Sequence, residues 1–507
     1  MPIDVGPPSF SQMKKRYLLP WRWLALGIFC CVVGTLSTRG QSLPSSGLER
    51  PNVLLIYVDD LNDYIAPLNR SGLVAHTPNI ERLMARGTLF SNAHCAAPIC
   101  NPSRTAILTG ISPHRSGIYN NRHAWNAFIP FEQTYPVVAK RNGYKTASAG
   151  KILHHVAGFQ PTQIWDAMLP FDDRAQQGIA PKLNKIDGLS SDAFDWGIPP
   201  GGMEDMPDTG IARWAVDYLR EKHERPFLLA VGLYRPHLPW YAPREFFDLY
   251  PPESIFIPYE GADELKDLPP RGLELARFRV KDTQLIDAAG KRKEAIRAYL
   301  ACISYTDALI GRLLDALDSS RYTENTLVVL VSDHGFHLGE KEHWHKFTLW
   351  KQSTRSPFII APPNLARPGR TSDAAVSLID IAPTLAEYCG WRDLPEWDGS
   401  SLCELVRNPD RREPNRFAIT SYTETDHAVT TREWRYINYG EGQEELYDQI
   451  SDPLERYNLA GDPVYRTVCD QLKQHLPAKP AKGRPHLENF RFSEETGRWT
   501  PIDATGR

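Results

Sequence analysis

Asn52-Val53-Leu54-Leu55-Ile56-Tyr57-Val58 runs straight into Asp59-Asp60, and this junction decides how the chain is built. A continuous apolar run of strand length, with no alternation, belongs to a strand covered on both faces. Phe227 to Leu233 repeats the pattern and leads into Arg235-Pro236-His237. Thr326 to Val331 repeats it again and stops at Ser332-Asp333-His334-Gly335, and Pro357 to Ala361 is a fourth such run. Between them, Lys293 to Leu317 carries Ile296, Tyr299, Leu300, Ile303, Ile310, Leu313, Leu314 and Leu317 at helical spacing. That stripe reads as core, with no chemistry assigned to it. Strands alternating with helices predict a layered α/β domain.

Outward from this centre the texture changes. Gly261 to Gly290, mixed in charge and holding Pro269-Pro270, reads as a loop-rich insertion. From about Asn415 the chain turns to short strands, at Arg416 to Tyr422, Ala428 to Tyr439 and Glu445 to Asp448, which predict a smaller antiparallel subdomain. The tail after Lys473, rich in Pro, Lys and Arg, is expected to wrap the surface. At the other end, Lys14, Lys15, Arg16 and Arg22 flank the apolar stretch Trp23 to Leu36, and small or polar residues follow. This reads as an export signal, shorter than the about 20 apolar residues of a bilayer span. Met13 is an alternative start, and an uncleaved membrane anchor is the alternative reading. The expected division is 1–41 signal, 42–410 catalytic domain and 411–507 C-terminal subdomain and tail, in a protein exported to the periplasm or beyond.

The net charge of -3 argues against a general nucleic-acid binder, which carries a strong basic excess. The 8 cysteines, at 30, 31, 95, 100, 302, 389, 403 and 469, are too widely spaced for a zinc module or a disulfide-stapled miniprotein. Their pairing is left open. Cys100 opens the most specific segment, Cys100-Asn101-Pro102-Ser103-Arg104, continuing to Leu108-Thr109-Gly110. Pro102 suits the first turn of a helix, so Cys100 falls at a helix N-terminus, where backbone N–H groups favour an anion.

These residues resemble the sulfatase family of the alkaline-phosphatase superfamily, whose motif C-x-P-S-R followed by L-T-G is matched at every fixed position. Gly143-Tyr144-Lys145-Thr146 with Gly150-Lys151 matches a second family stretch, and Glu445-Leu446-Tyr447-Asp448 with Asp452-Pro453 and Asn458-Leu459-Ala460 extends the likeness. The resemblance implies an alkaline-phosphatase-like central mixed sheet flanked by helices, with a smaller C-terminal antiparallel sheet. It implies that a separate maturation enzyme oxidises Cys100 to formylglycine (3-oxoalanine). The hydrated aldehyde carries two hydroxyls: one attacks sulfur, and the other loses its proton so that the carbonyl reforms and sulfate is expelled.

Asp59-Asp60 and Asp333-His334 each follow an apolar strand, and neighbouring parallel strands would bring both pairs to one carboxyl edge. Carboxylates suit a hard cation, calcium before magnesium. The resemblance makes Asp59, Asp60, Asp333, His334 and the modified Cys100 the ligands of one calcium ion; the Asp-His form of the second pair is that of the iduronate-2-sulfatase-like branch. It also assigns Lys151 and Lys346 to the sulfate oxygens, and His237 with Lys346 to the departing oxygen. His154 would take the proton of the second hydroxyl, and Arg104 would hold the aldehyde and ligands in place. His155, His343 and His345 are lower-ranked neighbours. Tyr119 to Phe128, with Arg122, His123 and Trp125, reads equally as pocket lining or as surface loop. The expected activity is hydrolysis of sulfate esters on a sulfated polysaccharide or oligosaccharide. The rivals are a formylglycine-dependent phosphodiester or phosphonate monoester hydrolase and a non-catalytic glycan-binding protein on the same scaffold.

Overall fold

In the computed structural model, which describes residues 50–156, 158–257 and 264–502, the Asn52–Val58 run is strand β1, buried along its whole length. The main sheet comprises β1, β2 (Thr88–Phe90), β3 (Lys145–Gly150), β4 (Ala167–Leu169), β5 (Phe227–Leu233), β6 (Thr326–Ser332), β7 (Phe358–Ala361) and β8 (Arg370–Ser372). In space the order is β8-β2-β7-β6-β1-β5-β3-β4. β1 runs parallel to β5 and β6, and β3 parallel to β5 and β4. β7 is antiparallel to β6 and β2, so the sheet is mixed.

Successive residues of a strand face opposite sides of its sheet. Accordingly Leu54, Ile56 and Val58 enter one core, and Val53, Leu55 and Tyr57 enter another. Helices α1 (Cys100–Thr109), α2 (Pro207–Arg220), α3 (Arg292–Asp318) and α4 (Ile381–Cys389) close the two faces. α2 and α3 supply Ile211, Leu219, Ile296, Ile303, Ile310 and Leu313 to the first core. α1 and α4 supply Ile107, Leu108, Ile381 and Leu385 to the second. Each such fully buried side chain contributes about 1.5–3 kcal/mol.

Register aligns the strand ends. Val58 stands beside Ser332 on one side and Leu233 on the other, and Gly150 stands beside Gly232. Asp59, Asp333, Tyr234 and Lys151 therefore leave the sheet together at its carboxyl edge. Gly232 has to be bare there, because a Cβ would collide with the Lys151 backbone.

The expected loop-rich insertion is largely helical: Pro270–Ala276 and Val280–Ala288 are helices. Pro270 starts the first of them, since a helix's first turn has no use for the missing N–H. Strands β9 (Ala418–Ser421), β10 (His427–Thr430), β11 (Trp434–Asn438) and β12 (Glu444–Asp448) form an antiparallel sheet in sequential order. The tail ends in a hairpin of β13 (Phe490–Ser493) and β14 (Arg498–Pro501). It returns to the main body, with Phe490 against Phe128 and Trp499 against Phe159. Glu49–Arg507 form one compact unit. The 1–41 segment lies outside the described residues, among which no helix is long and apolar enough to cross a membrane. The cysteines at 95, 100, 302, 389, 403 and 469 are all free and buried.

Candidate active site

Cys100 is the first residue of α1 and is 1% exposed. The helix start is pinned from outside: Asn101 N–H donates to Asn121 Oδ1 at 2.9 Å, and Asn101 Nδ2 donates to the carbonyls of Asn120 and His123 at 2.9 Å each. One turn on, Ser103 Oγ donates to the Asp333 carbonyl at 2.6 Å, and Arg104 Nε donates to Asp333 Oδ2 at 2.7 Å. The same guanidinium lies 3.2 Å from Asp59 Oδ1 and donates to the carbonyls of Lys151 and Ile152. Arg104 thus ties α1 to three strand ends.

Consecutive carboxylates on a strand would point opposite ways. Asp60 adopts a left-handed conformation, φ 61°, and both carboxylates reach the cysteine. Asp59, Cys100, Asp333 and His334 place ligand atoms within 4.8 Å of one another, as do Asp60, Cys100 and His237. Asp59 Oδ1 and Asp60 Oδ2 are buried and accept no hydrogen bond among the described residues. Buried acceptors left bare in this way suit a hard cation. If His334 Nδ1–H donates to the Gly335 carbonyl at 3.0 Å, the Nε2 lone pair faces Cys100 Sγ at 3.3 Å, the tautomer a ligand needs. The residues present therefore fit a divalent cation, with oxygen donors in the majority.

Three cationic side chains match the three carboxylates. Lys151 Nζ contacts Asp59 Oδ2, Lys346 Nζ lies 2.6 Å from Asp60 Oδ1, and Arg104 takes Asp333. Burial alone would raise Asp59, but Lys151 and then Arg104 hold it far below the usual carboxylate range. For Asp333 burial outweighs Arg104 and His334 and pushes it up to about 6. Burial would also raise Cys100, but Lys346, Lys151 and His334 more than reverse it, holding the thiol well below its usual value. Lys346 Nζ is 3.1 Å from the sulfur. His154 is buried, which holds it below the ordinary histidine value, and its Nδ1 has no hydrogen-bond partner among the described residues. His237 Nε2 lies 3.8 Å from Asp60 Oδ2, and its side chain is 17% exposed at the mouth of the site. Asp208 of α2 anchors its loop by accepting from Tyr234 N–H and Arg235 N–H at 3.0 and 2.8 Å.

The structure thus brings Cys100, Arg104, Lys151, His154, His237 and Lys346 around Asp59, Asp60, Asp333 and His334. His155 packs against His154 with the rings tilted by 50° and their centroids 4.3 Å apart. His343 and His345 face away: His343 Nε2 contacts the Lys346 carbonyl at 2.8 Å, and His345 Nε2 contacts Asp282 at 2.8 Å. The 119–128 segment divides. Tyr119, Asn120 and His123 line a cavity of about 210 Å³ beside Ile99, Arg122 pairs with Glu488, and Trp125 is wholly in the core. Tyr299 was read as core alone, yet its hydroxyl donates to the Asp60 carbonyl at 2.5 Å and accepts from Asn62 N–H at 3.0 Å. A hydroxyl on an aliphatic stripe was the available signal, since a buried tyrosine needs a partner.

Comparison with known proteins places this geometry. A family model described as "Sulfatase" matches residues 51–391, and one described as "N-sulphoglucosamine sulphohydrolase, C-terminal" matches 339–482. A "Sulfatase" of Formosa agariphila is 36% identical over 481 residues, covering 92% of each chain. Human iduronate 2-sulfatase is 28% identical, covering 73% of this chain and 74% of its own. A solved structure of a protein with its substrate D-glucosamine-2-N,6-O-disulfate superposes with a TM-score of 0.65 at 22% identity, covering 84% of this chain and 97% of its own. That likeness bears on the fold, which is the alkaline-phosphatase-like fold of the sulfatases. The family model and the 36% relative go further: this chain belongs to the sulfatase family.

Proposed function

We propose that this sulfatase hydrolyses sulfate esters of a sulfated carbohydrate through formylglycine at position 100 and a covalent sulfo-enzyme intermediate. The observation that carries the reading is the position of Cys100 Sγ, 3.1 Å from Lys346 Nζ and 3.3 Å from His334 Nε2 at the head of α1. The sulfur stands where one oxygen of the hydrated aldehyde would lie.

Asp59, Asp60, Asp333 and His334 would hold calcium, with residue 100 as a further ligand. The ion would supply positive charge against the sulfate oxygens and the attacking hydroxyl. Lys151 and Lys346 bind sulfate oxygens as fixed charges in a water-poor site, where they act far more strongly than in water. In the first half-reaction one hydroxyl of residue 100 gives its proton to the Asp333 carboxylate and forms an O–S bond while the ester S–O bond breaks. The sugar oxygen departs with a proton supplied from His237, its developing charge faced by the Lys346 ammonium. In the second, neutral His154 accepts the proton of the remaining hydroxyl, the C–O bond to sulfate breaks, and the aldehyde reforms. Water then adds back to the aldehyde.

A sulfated glycan is the substrate class, and the 28% likeness to human iduronate 2-sulfatase favours one that contains uronate. The N-terminal signal reading supports export to the periplasm or medium. The test has two parts. Peptide mass spectrometry of active protein should find formylglycine at position 100, and Cys100→Ala should fold yet lose activity by several orders of magnitude. An unmodified thiol in fully active material would sink the nucleophile. Rates on sulfated oligosaccharides should exceed those on aryl phosphodiesters; the reverse would make this a phosphodiester hydrolase.

A further inference from the structure

Away from the catalytic cluster, Arg70, Lys351, Arg355 and Arg432 converge on a cavity of about 110 Å³, with Asn92 and Asp373 in its wall. Asp373 is already engaged, by Arg432 at 2.6 Å and Arg412 at 3.9 Å. Arg355 is matched by Asp63 at 3.1 Å. Arg70 and Lys351 make no ion pair among the described residues, although Lys351 is only 6% exposed. The backbone N–H of Lys351 donates to Glu455 Oε2 at 2.8 Å, but its Nζ has no hydrogen-bond partner among the described residues. Glu455 itself is committed to Arg435, 3.4 Å away. Arg432 Nε is a second buried donor without an acceptor.

An ammonium on a mostly buried side chain beside other cations is costly, and so is an unpaired guanidinium N–H. Burial, and after it Arg355, push the Lys351 amine down to about 8. One anion in the cavity would give the Lys351 ammonium an acceptor and offset the mutual repulsion of the cations. The volume is small beside ordinary ligand pockets of about 300–1,000 Å³, so it suits a compact anion and not a sugar ring. We infer that this cavity binds a tetrahedral oxyanion, free sulfate or a sulfate group carried on a glycan, between Lys351, Arg70 and Arg432. No residue of the catalytic cluster lines it, so the site is independent of the proposed function.

Selenate-soaked crystals of the full chain, read by anomalous diffraction, should show selenium within hydrogen-bond distance of Lys351 Nζ. In solution, sodium sulfate should raise Tm above sodium chloride at equal ionic strength. The rise should persist in Lys346→Ala, where one of the two catalytic sulfate contacts is lost, and fall by about half or more in Lys351→Met and Arg70→Ser. Dextran sulfate separates the sources. A Tm rise that the two variants also weaken assigns the site to glycan-borne sulfate, and a rise they leave unchanged assigns it to the free ion. If Lys351→Met does not fold, the exposed Arg70→Ser carries the comparison. No selenium in the cavity, or equal sulfate responses in wild type and both variants, overturns the inference.

Discussion

At Lys346 burial and charge oppose each other. Burial disfavours the ammonium, but Asp60 and then Cys100 favour it more strongly, so its pKa lies above the ordinary lysine value and the group stays charged. A charge fixed beside the leaving oxygen matters most when that oxygen is a poor leaving group. His237→Ala and Lys346→Ala should therefore lower kcat/KM on sugar sulfates about 10-fold more than on nitrophenyl sulfate, whose phenolate needs little help. Equal losses on both substrates would make these side chains sulfate binders and not aids to departure. A second residue, His94, reports through stability. Arg435 lies 3.2 Å from its Nδ1, and Nε2 lies 2.9 Å from Asn92 Oδ1. Burial, then Arg435, hold His94 well below the usual histidine value. A depressed histidine contributes stability that is complete above its unfolded pKa, near 6.5, and is lost as pH falls below it. His94→Gln should be less stable at pH 7, yet lose less on acidification, by about 1.4 kcal/mol per pH unit below 6.5. Urea unfolding at pH 7 and pH 5 checks the slope. Cys100 was legible from the motif it opens, and Asp59 and Asp333 because each follows an apolar strand in a chain that carries that motif. Asp208 was not, because its role is to accept backbone N–H groups 26 and 27 residues away.

Among the elements, α3 does more than fill the core. Its Tyr299 fastens the turn at Asp60 across 239 residues of sequence. Tyr299→Phe would strand a buried carbonyl and the Asn62 N–H, costing about 1–3 kcal/mol. It should also raise the calcium concentration needed for half-maximal activity, because Asp60 loses its clamp. Calcium titration alongside urea unfolding tests this, and normal calcium dependence would confine Tyr299 to packing. The strands were readable because β1, β5 and β6 hold unbroken apolar runs, as central strands do when both faces are covered. Periodicity could not reveal that β7 runs antiparallel, since a pairing direction is settled by partners elsewhere in the chain. The 270–288 helices were misread because the Pro269-Pro270 pair breaks a helix only from within.

Across the whole molecule, the proposed cation would link the ends of β1 and β6 to the head of α1, where Asp59, Asp60, Asp333 and Cys100 meet. Chelation should abolish activity and lower Tm, with calcium restoring both. At 100 times its Kd the ion stabilises the fold by about 2.7 kcal/mol. Undiminished turnover in protein shown metal-free by elemental analysis would contradict the assignment, and zinc as the best restoring ion would point to phosphatase-like chemistry. The contacts that seal Cys100 also have a place in time. Ser103 waits 230 residues for Asp333, and Cys100 waits 234 for His334 and 246 for Lys346. At 5–20 residues per second a ribosome needs roughly 12 to 50 s to deliver them. During that interval the thiol lacks these contacts, and in the finished fold it is 1% exposed, within reach of a small sulfate group but not of a second protein's active site. A translational pause before codon 333 should therefore raise the fraction of chains modified at position 100, read by peptide mass spectrometry, and an unchanged fraction would place the modification after folding.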